Sequence, residues 1–302
     1  MKPDVVSHKG SDDKPAVILI HGLGMDKDIW VNPLNSRILG GMFPLRLLLK
    51  KKYPGREQGE EIPTLFDDLS ERDYSVITWS QKRPAGPIDS VVAELHEVVK
   101  IADNMTGDGI ILIGHSRGGR IARKYISENH DFIRGLVTIS TPHKGSSVAK
   151  ISGYLSPVIS LISPLIPAGD KGSFTFAVKR ILEFLKSRAI KELLPESNFF
   201  RSLKDGPSDH ICYTSVGGTN PTLFNLYNIP VPDVFEQVIP SNLYPEELKK
   251  GKGDGLVSAE SSRIPWAQEH HNFEFNHAEI LFDEEVRGVL MGAIDKISSS
   301  AV

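Results

Sequence analysis

A serine lies between two glycines in the stretch GHSRG, where Gly114, Ser116 and Gly118 fit the pattern G-x-S-x-G. Apolar β formers precede it, and a helical pattern follows from Arg117 to Ser127. A serine on such a sharp turn projects its hydroxyl above the sheet, and small neighbours let strand and helix approach each other. Free N–H groups at the helix start point to the same place. The context predicts a nucleophile, against the alternative of an ordinary glycine turn.

A serine hydroxyl needs a general base, an acid that orients the base, and donors for the oxyanion. His277 is the preferred base, because it ends the last predicted strand in FEFNHAEIL and leads into the final helix. It would then lie at the carboxyl edge of the sheet beside Ser116. Other histidines are interpreted as structural, since a lone histidine more often fills such a role; these are His21, His115, His143, His270 and His271.

For the orienting acid, Asp254 is the best candidate, on the glycine-rich loop GKGDGLVS between the last two predicted strands. Its rivals are Asp209, which precedes a strand and so belongs to the opposite end of the sheet, and Asp233 in VPDVF. The oxyanion donors would be two backbone amides. One is that of Leu23 in HGLG, just after the first predicted strand, and the other is that of Arg117.

Strand and helix patterns alternate along the chain, which predicts an α/β fold with a mostly parallel sheet of about six strands flanked by helices. The predicted helices cover 89–104, with Asp89 or Ser90 as N-cap, 117–127 and 284–298. The predicted strands are Ala16–Ile20, Tyr74–Trp79, Gly109–Gly114, Arg134–Ser140, Ile211–Val216 and Asn272–Asn276.

One stretch interrupts this alternation and predicts an inserted helical cap at 145–207, between core segments 1–144 and 208–302. It contains the apolar, proline-broken run Ile151–Pro167 and an amphipathic helix pattern that follows it. Its apolar side chains either pack on the core or line an acyl pocket. The candidate pocket residues are Leu161, Ile162, Leu165, Ile166, Ile181 and Leu185.

Composition limits the classes of function. The chain has 302 residues and a formal net charge of −3 with dispersed Lys and Arg, so no nucleic-acid partner is expected. The single cysteine, Cys212, is interpreted as a buried structural thiol. The polar N-terminus lacks a secretory signal pattern, which predicts a cytoplasmic protein. Ile151–Pro167 is too short and too proline-rich for a membrane span, so no integral membrane segment is expected.

Taken together, HGLG, GHSRGG, STPHKGS, GDGLVS and FNHAEIL resemble the α/β-hydrolase superfamily, in particular bacterial lipases and esterases. The resemblance runs from about Val17 to Leu281. It implies an α/β-hydrolase fold with Ser116 as nucleophile, His277 as base and Asp254 as acid. Leu23 and Arg117 would supply the oxyanion-hole amides. Arg117 is a departure, because many of these lipases carry methionine or another apolar residue there.

The resemblance implies a serine hydrolase that cleaves carboxylic esters, with a small-molecule ester or lipid as substrate. Some relatives bind calcium or zinc, but Glu279 and Asp283 after His277 do not complete a ligand set, so no metal and no cofactor are expected. The alternatives are another acyl-transfer enzyme, such as a thioesterase, amidase or acyltransferase, and a non-catalytic hydrolase-like binding protein. The sequence leaves the natural substrate and the oligomeric state open.

Overall fold

The computed structural model describes residues 3–38, 43–44, 62–129, 131–148, 150, 188–223, 225–226 and 229–300. Its centre is a seven-stranded sheet in the order β1-β5-β2-β6-β7-β8-β11, in which β1 runs antiparallel to β5 and the other pairs are parallel. The strands are β1 (Asp4–His8), β2 (Ala16–Ile20), β3 (Arg37–Ile38), β4 (Phe43–Pro44), β5 (Val76–Ser80), β6 (Ile110–His115), β7 (Ile133–Ile139), β8 (Cys212–Gly218), β9 (Asn225–Leu226), β10 (Ile229–Pro230) and β11 (Glu269–Phe273). β3 pairs with β4, and β9 with β10, outside this sheet.

Helices connect the strands and cover both faces of the sheet. They are α1 (Asp28–Val31), α2 (Leu65–Glu71), α3 (Ile88–Asp103), α4 (Arg117–Ile126), α5 (Arg188–Leu193), α6 (Asn198–Ser202), α7 (Val231–Glu236), α8 (Ala259–Ser262) and α9 (Glu284–Ser299). Short 3₁₀ helices lie at Glu246–Leu248 and Glu279–Leu281. Among the described residues, no helix is long and apolar enough to cross a membrane.

Strands buried on both faces explain the continuous apolar runs of the sequence. Along β2, Val17 and Leu19 pack into a core with α2 and α9, whereas Ala16, Ile18 and Ile20 pack into a second core with α3 and α4. Every residue of β2 and β6 is buried. The predicted alternating α/β architecture with a mostly parallel sheet is confirmed.

Four local predictions need correction. A seventh strand, β1, was missed because its partly exposed sequence DVVSH belongs to an antiparallel edge strand. The last strand is β11, three residues earlier than predicted, because the parallel pairing with β8 ends at Phe273. The N-cap of α3 is Pro87, since the Ser90 hydroxyl donates to the Pro87 carbonyl at 2.7 Å instead of capping a backbone N–H. Cys212 is half-buried at the start of β8 rather than buried.

The predicted cap at 145–207 is described only at its two ends, in residues 145–148, 150 and 188–207. The cap therefore stays a prediction. All six candidate pocket residues, Leu161, Ile162, Leu165, Ile166, Ile181 and Leu185, lie outside the described residues.

Candidate active site

Ser116 occupies the turn between β6 and α4 in a strained backbone conformation. Its φ of 54° and ψ of −123° are rare for a residue with a side chain. The Ser116 N–H donates to the Ile139 carbonyl at the end of β7, at 2.8 Å. The residue keeps 8% of its surface exposed at the carboxyl edge of the sheet. Geometry and position are those of a serine whose hydroxyl is presented above the sheet.

The glycines around Ser116 are required by close backbone contacts. A Cβ atom on Gly114 would lie 2.3 Å from the Gly119 nitrogen, and one on Gly118 would lie 2.2 Å from the Ile20 carbonyl oxygen. One on Gly119 would lie 2.2 Å from the Thr141 hydroxyl oxygen. Real Cβ atoms do not approach other heavy atoms this closely, so only glycine lets α4 pack against the ends of β6 and β2.

The segment after β2 is fixed against this turn by His21. The His21 Nε2 atom accepts from the Gln81 N–H at 3.1 Å, so its Nδ1–H donates to the Gly22 carbonyl at 3.0 Å. Burial lowers the pKa of His21 to about 4, and the ring is neutral near pH 7. A Cβ atom on Gly22 would lie 3.0 Å from the Cβ of Ser116. His21 therefore anchors the loop that carries Leu23 beside the serine.

The two amides predicted as oxyanion donors, those of Leu23 and Arg117, follow β2 and Ser116 respectively. Neither donates to another backbone group within the described ranges. The Arg117 amide is the first of α4, where helical N–H groups have no partner inside the helix. Both amides are therefore free to bind a developing negative charge.

His277 and Asp254 lie in direct contact. The His277 Nδ1–H donates to Asp254 Oδ2 at 2.8 Å, and both side chains are almost completely buried. Their main chains are joined as well, since the His277 N–H donates to the Asp254 carbonyl at 3.0 Å. With Nδ1 holding the proton, the His277 Nε2 atom keeps its lone pair and can accept a proton.

Asp254 lies on a loop that packs against Gly218, the last residue of β8, and its side chain is held by hydrogen bonds. Its Oδ1 atom accepts from the N–H groups of Leu256 and Val257 at 3.0 and 2.8 Å, which leaves Oδ2 for His277. A Cβ atom on Gly218 would lie 2.8 Å from the Asp254 Cβ, so glycine at the strand end lets the acid loop fold back over the sheet. Of the rival acids, Asp209 is exposed before β8 and Asp233 is exposed on α7.

His143 and His270, two of the histidines interpreted as structural, bond to other groups. His143 is buried, with Nδ1 accepting from Arg123 at 3.0 Å and Nε2–H donating to the Thr138 hydroxyl at 3.0 Å. Burial, and then the charge of Arg123, lowers the pKa of His143 well below its usual value. His270 lies 2.9 Å from the Ser215 hydroxyl.

Three buried arginines on one face of α4 bind the C-terminal end of the predicted insertion. The Arg117 side chain donates to the carbonyls of Pro84 and Gly86 and lies 3.4 Å from a carboxylate oxygen of Glu192. Arg120 donates to the Glu192 carbonyl at 2.8 Å. Burial lowers the pKa of both guanidinium groups.

Arg123, the third of these arginines, forms a two-point ion pair with Asp205, with distances of 2.6 and 3.0 Å. Such paired N–H···O bonds match the planar geometry of guanidinium and carboxylate. The three arginines follow each other at intervals of three residues in the sequence. Their contacts with residues 192–205 were not predicted.

The start of the predicted insertion contacts the acid loop. The Glu247 carboxylate accepts from the Ser147 N–H at 2.6 Å and from the Ser147 hydroxyl at 2.8 Å. The Ser146 hydroxyl donates to the Leu256 carbonyl at 2.7 Å, and the Ser146 N–H donates to the Leu193 carbonyl at 2.8 Å. Both ends of the insertion thus meet each other and the loop that carries Asp254.

Within the part of the chain that the structure describes, no group of three or more His, Cys, Asp or Glu side chains is arranged to hold a metal ion. The site consists of a strained serine, a histidine–carboxylate pair and two amides that have no backbone partner among the described residues. These groups are those needed for acyl transfer to a serine.

Comparison with known proteins gives the family of the chain. Residues 16–205 match the family model of palmitoyl protein thioesterases. The chain belongs to the palmitoyl protein thioesterase family. No curated protein sequence matches this palmitoyl thioesterase family member.

Solved structures similar to this family member include a lipase from Bacillus licheniformis. Its mature form superposes with a TM-score of 0.61 at 16% identity, covering 97% of this chain and 99% of that chain. The propeptide form of the same lipase superposes with a TM-score of 0.62 at 15% identity, covering 100% of this chain and 55% of that chain. The likeness shows a shared α/β-hydrolase fold and confirms the resemblance inferred from the sequence. Together with the family match, it identifies an acyl-hydrolysing enzyme.

Burial of neutral histidines predicts that this family member loses stability in mild acid. Burial lowers the pKa of His21 to about 4, and lowers the pKa of His115 and His143 well below the usual value. On unfolding, each ring regains a pKa of about 6.5, so below that pH the unfolded state binds more protons. The free energy of unfolding should fall by about 1.4 kcal/mol per pH unit for each such histidine as the pH decreases from 6.5 towards 4.

Urea denaturation at pH values between 7.5 and 5 measures this slope. In the variant His21→Gln, the fall of the unfolding free energy per pH unit should be smaller by about 1.4 kcal/mol, because this variant lacks one of these rings. An unfolding free energy that stays constant from pH 7.5 to pH 5 would contradict the burial of neutral histidines.

Proposed function

We propose that the chain is a serine hydrolase that cleaves carboxylic esters through an acyl-enzyme intermediate on Ser116. The observation that carries the proposal is the pairing of His277 with Asp254, at 2.8 Å, at the same edge of the sheet as the strained Ser116 turn. A histidine oriented by a buried carboxylate, together with a serine at a strand-to-helix turn, supports nucleophilic catalysis.

In the proposed reaction, His277 Nε2 removes the hydroxyl proton of Ser116 as the Oγ atom attacks the ester carbonyl. The amides of Leu23 and Arg117 hold the resulting oxyanion. Protonated His277 then gives its proton to the leaving alcohol, and an ester bond to Ser116 remains. A water molecule, deprotonated by His277, attacks this ester; the bond between the acyl carbon and Ser116 Oγ breaks, His277 returns the proton to Oγ, and the carboxylic acid is released, while Asp254 keeps the ring oriented throughout.

Hydrolysis of acyl thioesters by the same site is a second candidate, because the family model matched by residues 16–205 is that of palmitoyl protein thioesterases. A thiolate is a better leaving group than an alkoxide, so a thioester depends less on proton donation by His277. Specificity constants for matched palmitoyl oxygen esters and thioesters decide between the two. A specificity constant for the oxygen ester that equals, exceeds or lies within tenfold of that for the thioester is expected, and a preference of tenfold or more for the thioester, about 1.4 kcal/mol, would replace the ester proposal.

The predicted cap belongs to the proposal as well. Its described ends are bound by Arg120 through the Glu192 carbonyl and by Glu247 through Ser147. We propose that its apolar side chains bind the acyl chain, with each buried methylene contributing about 0.8 kcal/mol.

Ser116→Ala should abolish both ester hydrolysis and labelling by a fluorophosphonate probe, because the probe reacts only with an activated serine. Ser140→Ala is a matched control, since Ser140 is also buried and has a positive φ of 48° at the end of the neighbouring β7. Gel fluorescence and mass spectrometry of the labelled peptide measure the result. Labelling that persists in Ser116→Ala, or that disappears in Ser140→Ala, would refute the assignment of the nucleophile.

Asp254→Asn should retain the fold and lower kcat by on the order of a thousandfold or more, because an amide does not hold the ring of His277 in the productive tautomer. The control is Asp233→Asn, which changes an exposed acid on α7 in the same chemical way. Steady-state assays with a short-chain nitrophenyl ester measure both variants. If Asp233→Asn were the damaging change and Asp254→Asn mild, the acid would be misassigned.

A further inference from the structure

His115, the residue before the proposed nucleophile, contacts His277 in two ways. Its Nε2–H donates to the main-chain carbonyl of His277 at 3.0 Å. The two imidazole rings also pack together, with 4.7 Å between their centroids and 47° between their planes. His115 ends β6 and is fully buried. The sequence spacing gave no sign of this contact, because the two residues are separated by 162 positions.

The chemistry of the bond fixes the proton on His115. A carbonyl oxygen can only accept, so Nε2 must carry the hydrogen, and burial keeps the ring neutral by lowering its pKa well below the usual value. Nδ1 then holds a lone pair, and this atom has no hydrogen-bond partner among the residues described. Among the described residues, the carbonyl of His277 is therefore the one hydrogen-bond partner of this buried ring.

The carbonyl of His277 is held by His115, while the residues on either side of His277 are held by Asn276, whose Oδ1 atom accepts from the N–H groups of Ala278 and Glu279 at 3.1 and 3.0 Å. β11 ends at Phe273, four residues earlier, and the 3₁₀ helix at Glu279–Leu281 begins two residues later. The His277 N–H and ring are bound by Asp254, and its carbonyl is bound by His115. His115 thus binds the main-chain carbonyl of His277, whereas Asp254 binds its main-chain N–H group and its ring.

We propose that His115 is a positioning residue that keeps His277 aligned with Ser116 through this one hydrogen bond. The proposal rests on the proposed roles of Ser116 and His277. His115 precedes Ser116 in the chain, so the bond ties the main chain of the base directly to the main chain of the nucleophile. A small displacement of the base is costly, because proton transfer and attack depend on geometry at the scale of 1 Å.

The test compares two variants that differ by one methylene. In His115→Gln the side-chain amide reaches as far as Nε2 and can donate to the His277 carbonyl. In His115→Asn the amide occupies the place of Nδ1 and is too short. We expect kcat to stay within about fivefold of wild type in the Gln variant and to fall by about fiftyfold in the Asn variant, with KM changed little in either. Equal kcat values in the two variants, both high or both low, would overturn the proposal.

A spectroscopic measurement separates this proposal from the proposed function. The downfield proton resonance of His277 Nδ1–H, bound to Asp254, is recorded without substrate. It should persist in His115→Gln and broaden or vanish in His115→Asn, whether or not the chain hydrolyses the test esters. An unchanged resonance in the Asn variant would refute the positioning role, whereas an absence of hydrolysis by the wild-type protein would refute only the proposed function.

A measurement on the unmodified protein covers the case in which the variants do not fold. Nitrogen-15 chemical shifts identify the tautomer of each histidine ring. His115 should be neutral with its proton on Nε2 from pH 6 to pH 8, since burial lowers its pKa. A proton on Nδ1, or a charged ring, would show that the bond to His277 is not formed as proposed.

Discussion

The close approach of β6 and α4 around Ser116 is the contact on which the rest of the site depends. Side chains are excluded at Gly114, Gly118 and Gly119, because backbone or side-chain atoms of neighbouring segments already fill the space where a Cβ would lie. The turn that joins the two elements must then be sharp, and Ser116 takes up a positive φ. Strain of this kind, on the order of 1–3 kcal/mol, persists only where surrounding packing enforces it. Here the buried strands β2 and β7 provide that packing.

The second constraint is the burial of three arginines along α4. Buried charges are costly unless they are paired and hydrogen-bonded. Arg123 meets this condition through its two-point pair with Asp205, and Arg117 through two carbonyls and Glu192. Arg120 donates to the Glu192 carbonyl and also stacks against the ring of Phe199, with 3.9 Å from its guanidinium carbon to the ring centroid. The Arg117 side chain contacts Glu192, and the Arg117 amide is one of the two proposed oxyanion donors. One residue therefore contacts the C-terminal end of the predicted insertion and contributes to the proposed oxyanion site.

Much of the fold was predictable from the sequence because its signals are local. Apolar runs defined β2, β6 and β7, and the glycine–serine pattern defined the turn at Ser116. The rule that parallel strands end at one edge of the sheet was enough to propose His277 and Asp254 as neighbours. β1 was missed because an antiparallel edge strand lacks a continuous apolar run. The contact of His115 with His277 was missed because the partner of His115 is a main-chain carbonyl, which no side-chain pattern marks.

If Ser116 forms a covalent acyl intermediate during hydrolysis, rapid acid quenching should trap that intermediate. Nitrophenyl esters acylate quickly, since nitrophenolate is a good leaving group, so the acyl-enzyme should accumulate before water releases the acid. Tandem mass spectrometry of the quenched and digested protein should then find the acyl group on the peptide that contains Ser116, at that residue alone. Ester hydrolysis with no adduct at Ser116, or with the acyl group on another residue, would show that Ser116 is not the nucleophile.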